Sequence, residues 1–294
     1  MTPFALRSRL AHALQQRCRH IQQSRGAPPE SLPWNEVCID TLILERKPVG
    51  ISYLSALPQR LMLYLTASGA EEFSGCVYKS IGDPDFITAV FGLTHPHAAA
   101  EGCITVDTLP DGRWRIKLTP VAISLWLQGW LRSPPDISDL SLKPEGTCPP
   151  EPFIAPSHVQ RFHLSAQGFM QYVYARCHHI NLANADVPFS LAPERMPALP
   201  PTATPTAPLD FNQNDWALIR SLLRCIDHLA YPPPDAAGLW TIGGQLATAT
   251  ETWISALPRI SPLSPSQRAL LRGIEQALFI FFRAKLGVLP SKTL

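Results

Sequence analysis

Three side chains between positions 172 and 179 have the chemistry and spacing of a nucleic-acid contact. Tyr172, Arg176 and His179 recur at i, i+4 and i+7, which places them on one face of a helix. A tyrosine can stack on an unpaired base, and an arginine can grip a phosphate or stack on a base. Alternatively, Tyr172 and Arg176 hold the core of their domain together. The spacing leaves both interpretations open.

Positive charge recurs in three stretches that contain no acid. The formal net charge is only +2, so binding of phosphates would depend on local patches. The first stretch precedes Glu30, the second runs from 152 to 185, and the third from 276 to 294. Solvated polar faces are the alternative for each. The candidate phosphate contacts of the two outer stretches are Arg9, Arg19, Arg283, Lys285 and Lys292.

Other chemistries lack the residue patterns that they need. Cys177, His178 and His179 are consecutive, so on a helix they point to different sides and cannot easily close around one ion. No Gly-x-Ser-x-Gly elbow and no phosphate-binding glycine loop occurs. We therefore predict no catalytic residue, no metal site and no cofactor.

The composition indicates a folded protein of the cytoplasm. Hydrophobic residues make up 46% of the chain and charged residues 16%, which is enough apolar material for folded cores. The seven cysteines are scattered and form no Cys-x-x-Cys pair, as expected of free thiols in a reducing compartment. No apolar run approaches the roughly 18 residues that span a bilayer. We expect a cytoplasmic location and no membrane partner.

The N-terminal part alternates between helix and strand patterns. Leucines recur at helical spacing over residues 3–25. Pro110-Asp111-Gly112 predicts a turn between two strands. Trp126 and Trp130, four residues apart, are more typical of a core pair than of a partner surface. The remaining predicted elements are a strand over Val37–Leu44, helices over Leu54–Leu65 and Asp85–Phe91, strands over Cys103–Asp107 and Trp114–Leu118, and a helix from Pro120 to Leu131.

Proline-rich stretches divide the rest of the chain. Residues 133–157 have no apolar period and predict a linker, and residues 188–208 interrupt a series of helices. The predicted helices are Leu164–Ala185, Asn212–Ala230, Leu239–Leu257 and Ser264–Leu286, the last with Ser264 as its cap and Pro265 in its first turn. The predicted fold class is an α+β module over 1–132, joined by the Pro-rich linker 133–157 to an all-α helical bundle over 158–294.

The segment Gly168–Ile180 reads GFMQYVYARCHHI and resembles the helix that opens the DALR anticodon-binding domain of arginyl-tRNA synthetases, commonly YVQYAHARICSI. Five residues match without a gap: Gln171, Tyr172, Ala175, Arg176 and Ile180. Residues 268–288, RALLRGIEQALFIFFRAKLGV, are similar to the end of the same family, with Phe281-Phe282 in place of the usual Asn-Gly. The resemblance implies a DALR-like bundle over 158–294.

A looser resemblance covers Gly112–Leu131, which is similar to part of the N-terminal accessory domain that contacts the tRNA elbow in those synthetases. The catalytic domain between the two modules has no counterpart. The nearest approach to the ATP-binding His-Ile-Gly-His element is His95-Pro96-His97, and no Lys-Met-Ser-Lys-Ser-like loop occurs. Without these groups nothing stabilises the charge of adenylate formation. The resemblance suggests the label arginine–tRNA ligase, but we predict that this chain is not an enzyme.

The resemblance implies a non-catalytic protein that presents or sequesters tRNA, an arginine tRNA being one candidate. Tyr172, Arg176 and the C-terminal basic helix would contact the anticodon arm, and the N-terminal basic helix the elbow. The alternative is a helical protein-docking subunit of a larger complex that has lost RNA binding. The near-zero net charge and the departures from the family pattern at 281–282 and 291–294 favour it. A third hypothesis is a synthetase complemented by a separate catalytic chain.

Overall fold

The structure is a computed structural model. It describes residues 5–25, 38, 40–45, 50–91, 102–132, 165–184, 209–230, 236–257, 262–286 and 289–292. The chain separates into two compact units, Met1–Gly129 and Trp130–Leu294. None of the helices in the described ranges is long and apolar enough to span a membrane. The predicted linker 133–157, residues 158–164 and the proline-rich stretch 188–208 lie outside these ranges.

The first unit combines helices with a small antiparallel sheet, as the predicted α+β character requires. The strand order is β1-β2-β4-β3. In chain order the elements are α1 (Leu6–Ser24), β1 (Leu42–Leu44), β2 (Ile51–Ser55), α2 (Leu57–Leu61), α3 (Ala67–Ser80), α4 (Pro84–Phe91), β3 (Ile104–Thr108), β4 (Trp114–Leu118) and α5 (Pro120–Arg132). Trp126 and Trp130 are both buried, which confirms them as core residues.

Helices cover one face of the sheet, and the opposite face carries polar side chains together with Ile43 and Leu54. Tyr53 and Ile116 face each other across β2 and β4 and are fully buried. The hydroxyl of Tyr78 on α3 donates to the carbonyl of Val106 at 2.9 Å, so α3 lies over the β3–β4 hairpin. Helix α1 packs against α3, α4 and β1. Because side chains alternate along a strand, this burial fixes the strand register.

Two of the predicted elements around positions 37–65 were wrong in extent. The strand predicted over Val37–Leu44 is confined to Leu42–Leu44, and Cys38 and Asp40 are helical. The helix predicted over Leu54–Leu65 is confined to Leu57–Leu61, and Leu54 belongs to β2. The leucine spacing suggested a longer helix. Pro58 lies in the first turn of α2, where its missing N–H is tolerated, and this marks the helix start.

Helix α3 was not predicted from the sequence, although it has the usual signals. The hydroxyl of Thr66 caps it by accepting from the backbone N–H of Gly69 at 3.3 Å. Its buried residues, Ala70, Phe73 and Val77, recur at i, i+3 and i+7. Two glycines within the helix weaken the local propensity, so the packing of this apolar stripe stabilises it.

In the described part of the second unit, four long helices follow the end of α5. They are α6 (Ala166–Ala183), α7 (Gln213–Ala230), α8 (Ala236–Ala256) and α9 (Pro265–Leu286), close to the predicted bounds. The predicted cap of α9 is confirmed, because the Ser264 hydroxyl accepts from the N–H of Gln267 at 3.2 Å and the Gln267 side chain accepts from the N–H of Ser264 at 2.9 Å.

The four helices pack as a bundle in which α6 and α7 lie diagonally opposite each other. Helix α6 lies against α8 and α9, and α7 lies against the same two helices. Trp253 of α8 donates its indole N–H to the buried carboxylate of Asp215 on α7 at 2.8 Å. Whether this bundle has the DALR arrangement stays a prediction.

Gly243 on α8 marks a close approach of helices in the bundle. A methyl group on this residue would lie 2.7 Å from Sδ of Met170 and 2.9 Å from Cζ of Phe281. Phe281 is buried, so its ring has little room to move. The absence of a side chain at 243 therefore allows α6, α8 and α9 to meet.

We expect Gly243→Ala to destabilise the protein by about 1–3 kcal/mol, because the added methyl overpacks the bundle. Gly75→Ala is the matched control, since a methyl group there meets nothing within 4 Å. It should stabilise α3 by roughly 0.4–1 kcal/mol through helix propensity. Urea denaturation followed by circular dichroism measures both. Equal effects of the two substitutions would contradict the proposed close packing at Gly243.

Candidate nucleic-acid interface

Helix α6 carries the residues that the sequence singled out. It begins after Ser165, whose hydroxyl accepts from the backbone N–H of Gly168 at 3.1 Å. Phe169, Met170, Val173 and Cys177 turn inward and are fully buried. The adjacent face carries Tyr172 and Arg176, which are partly exposed, and His179, which is exposed. The predicted common face of Tyr172, Arg176 and His179 therefore exists.

Arg176 is held in place by a buried acid on another helix. Its Nη1 atom forms a short ion pair with Oε1 of Glu251 on α8 and donates to the hydroxyl of Tyr172 at 3.3 Å. Burial alone would lower the pKa of Arg176, but the charges of Glu251 and Tyr172 and the hydrogen bonds to both raise it above its ordinary value. Arg176 is thus a positioning residue, and about a third of its side chain, 32%, remains exposed.

A second buried acid joins α6 to α9. The two carboxylate oxygens of Glu275 are bonded to Nδ1 of His178 at 2.7 Å and to Nδ2 of Asn181 at 2.6 Å. The pKa of the nearby Tyr174 hydroxyl is raised by burial and by the charge of Glu275. All these side chains lie inside the bundle, so His178 takes no part in an external contact.

The C-terminal tail is fastened beside the same face of α6. Nε2 of Gln171 donates a short hydrogen bond to the backbone carbonyl of Ser291. Lys292, the next residue, is exposed. The predicted contacts Tyr172 and Lys292, 120 residues apart in the sequence, are therefore held near each other. This proximity could not be read from the sequence.

The other predicted contacts differ in accessibility. Arg283 is exposed on α9; Lys285 lies on the same helix, and its side chain is outside the described part of the structure. In the first unit, Arg19 is exposed on α1. Arg9 is only 9% exposed, with its Nη1 atom facing Gly129, and burial lowers its pKa. Arg9 therefore contributes to the packing of its own unit.

The basic face predicted for α1 is partly neutralised by acidic side chains that lie beside it. Nη2 of Arg17 lies 3.6 Å from a carboxylate oxygen of Asp83 and 3.9 Å from one of Asp85. Arg25 is paired with Glu72 at 2.9 Å. The acid-free stretch in the sequence is therefore not an acid-free surface, because acids around α3 and α4 lie against it.

Among the described residues of the second unit, most acidic side chains are buried and the basic side chains are at least partly exposed. Of its described acidic residues, only Asp210 is exposed, while four are buried: Asp215, Asp227, Glu251 and Glu275. No described arginine or lysine side chain of α6–α9 or the tail is buried. The partly or fully exposed bases include Arg220, Arg224, Arg268, Arg272, Arg283 and Lys292. The charged groups at the described part of this surface are therefore mainly basic.

Sequence reasoning missed Glu251, which positions Arg176, and two residues on α9. Arg272 and Phe279 are partly exposed and share a helix face with Arg283 at i, i+7 and i+11. This helical spacing is visible in the sequence and could have identified the shared face. Within the described ranges, no group of three or more His, Cys, Asp or Glu side chains is arranged to hold a metal ion.

Comparisons with known proteins identify no relative. No family model, no curated protein and no solved structure matches this chain. The resemblance to the anticodon-binding domain therefore depends on the residues quoted above.

We expect Arg176→Ala to destabilise the protein by roughly 3 kcal/mol, because it leaves the carboxylate of Glu251 buried without its counter-ion. Glu251→Gln should cost about 1 kcal/mol, since Arg176 can turn to solvent. The double variant Arg176→Ala/Glu251→Gln should recover about 1–2 kcal/mol relative to Arg176→Ala. Urea denaturation provides the measurement.

Arg25→Ala is the matched control for this cycle. The side chains of Arg25 and Arg176 are both 32% exposed, but Glu72 is 73% exposed whereas Glu251 is 2% exposed. Loss of the exposed pair should cost less than about 1 kcal/mol. Equal costs for Arg25→Ala and Arg176→Ala would show that burial of the acid does not matter.

Proposed function

We propose that this protein is a non-catalytic RNA-binding protein that takes tRNA, to present or sequester it, with the principal contacts on its helical unit. The observation that carries the proposal is the distribution of charge in that unit. Among its described residues, four of the five acids are buried, three of them bonded to a neighbouring helix, and no arginine or lysine side chain is buried. Binding of RNA phosphates and unpaired nucleobases requires exposed basic side chains near an accessible aromatic ring such as that of Tyr172.

The proposed contacts on α6 and the tail are Tyr172, His179 and Lys292, with Arg283 nearby in the sequence on α9. Arg176 supports them by holding the Tyr172 hydroxyl. The choice of tRNA as the ligand is supported by the QYxxAR resemblance, in which Gln171, Tyr172 and Arg176 match. An arginine tRNA is the first candidate for the same reason.

The second candidate function is protein docking. A specific observation favours it: three consecutive apolar residues in the first unit, Met62, Leu63 and Tyr64, are 54%, 71% and 46% exposed. Clustered exposed apolar side chains are uncommon on a monomer and mark interaction surfaces. Purification of the protein with one stoichiometric protein partner and no RNA would favour this candidate over RNA binding.

A filter-binding titration with total tRNA at two salt concentrations tests the RNA proposal. Affinity should fall steeply with salt, because each phosphate contact releases counterions. The double variant His179→Gln/Lys292→Gln should weaken binding several-fold and flatten the salt dependence. Arg60→Gln is the control, since Arg60 is an exposed arginine of the first unit outside the proposed contacts.

Two results would contradict the proposal. One is the absence of binding at low salt, and the other is no preference for tRNA over a DNA duplex at physiological salt. Arg176→Ala is unsuitable as the sole binding variant, because its effect on stability would be confused with an effect on affinity. The double variant with Glu251→Gln separates the two effects.

A further inference from the structure

The outward face of α9 combines two arginines with one aromatic ring. Arg272, Phe279 and Arg283 lie on one side of the helix at i, i+7 and i+11. Along the helix axis Phe279 lies about 10 Å from Arg272 and about 6 Å from Arg283. We call these three residues the α9 ridge.

Each residue of the α9 ridge is at least partly exposed. Arg272 and Arg283 form no ion pair with any residue that the structure describes. Phe279 is partly exposed, although Leu278, Ile280 and Phe281 beside it are buried. Phe279 is therefore a partly exposed aromatic ring between two arginines that have no ion pair within the described part of the chain.

Among the described residues of the second unit, helix α8 differs from the other helices in its charge. Its single charged residue is Glu251, which is buried. Its described side chains that are partly or fully exposed are all neutral: Trp240, Thr241, Gln245, Thr248, Ala249, Thr252, Ser255 and Ala256. Helices α6 and α7 each lie against α9, so α9 is the middle of the basic side of the bundle.

We propose that the α9 ridge binds single-stranded RNA, with Arg272 and Arg283 on phosphates and a base stacked on Phe279. Base stacking on an aromatic ring requires an unpaired base, whereas arginines alone would also accept a duplex or an acidic protein. The alternation of charge and ring therefore favours a single strand. This inference rests on the proposed RNA-binding function and names the part of the RNA and the residues that take it.

Fluorescence anisotropy with a labelled oligouridine about twelve nucleotides long tests the ridge. Arg272→Gln and Arg283→Gln should each weaken binding several-fold and reduce the salt slope by about 0.7, the loss of one single-strand phosphate contact. Phe279→Leu, which keeps an apolar side chain for packing, should weaken binding about tenfold with the salt slope unchanged. Arg60→Gln should leave binding as in the wild type. Thermal unfolding of each variant checks that the bundle stays folded.

Several outcomes would contradict the proposal that the α9 ridge binds single-stranded RNA. These are equal affinity for an RNA duplex of the same length, competition by polyglutamate as effective as that by unlabelled oligouridine, or wild-type affinity in all three variants. The tRNA titration separates this failure from failure of the proposed function. If the wild type binds tRNA and the ridge variants bind it equally well, the ridge is wrong and the function stands. If the wild type binds no RNA, the proposed function and the proposal for the α9 ridge are both wrong.

Discussion

Burial of carboxylates between helices is the constraint on which the bundle depends. A charged carboxylate in an apolar interior is stable only if a partner neutralises it or donates hydrogen bonds to it. Glu251 meets Arg176, Glu275 meets His178 and Asn181, and each contact joins two helices. Moving one helix along another would separate these groups. The buried acids therefore fix how far along each other the helices pack. Because they are buried, they do not offset the positive charge of the exposed basic side chains.

The contacts of α6 give its directions relative to two neighbours. Met170 lies at Gly243 and Arg176 lies at Glu251, so α6 and α8 run parallel. His178 bonds Glu275 and Tyr174 meets the ring of Phe282, so α6 and α9 run antiparallel. Polar and apolar contacts agree on one arrangement, which is the consistency expected of a single native state.

The sequence predicted local features well and distant contacts poorly. Helix α9 and its cap at Ser264 could be read because the signals lie within a few residues of one another. The partner of Arg176 could not, because Glu251 is 75 residues away and nothing local distinguishes it from a surface acid. Leu54 was placed in a helix because leucine spacing fits a helix there, and only pairing with β1 and β4 makes it a strand residue. The candidate interface is formed largely by side chains that are distant in the sequence, and for this reason it could not be predicted from local patterns.

The residues that carry the resemblance make internal contacts. Gln171 fastens the tail, Ala175 is fully buried, and Arg176 holds Glu251. Similarity at these positions therefore supports a similar bundle more strongly than a similar ligand, since fold and function are separate inferences. The uncharged exterior of α8 adds a kinetic consequence. The described bases lie on the other helices and the tail, and such an uneven charge would orient the protein as a polyanion approaches, which raises the association rate at low ionic strength.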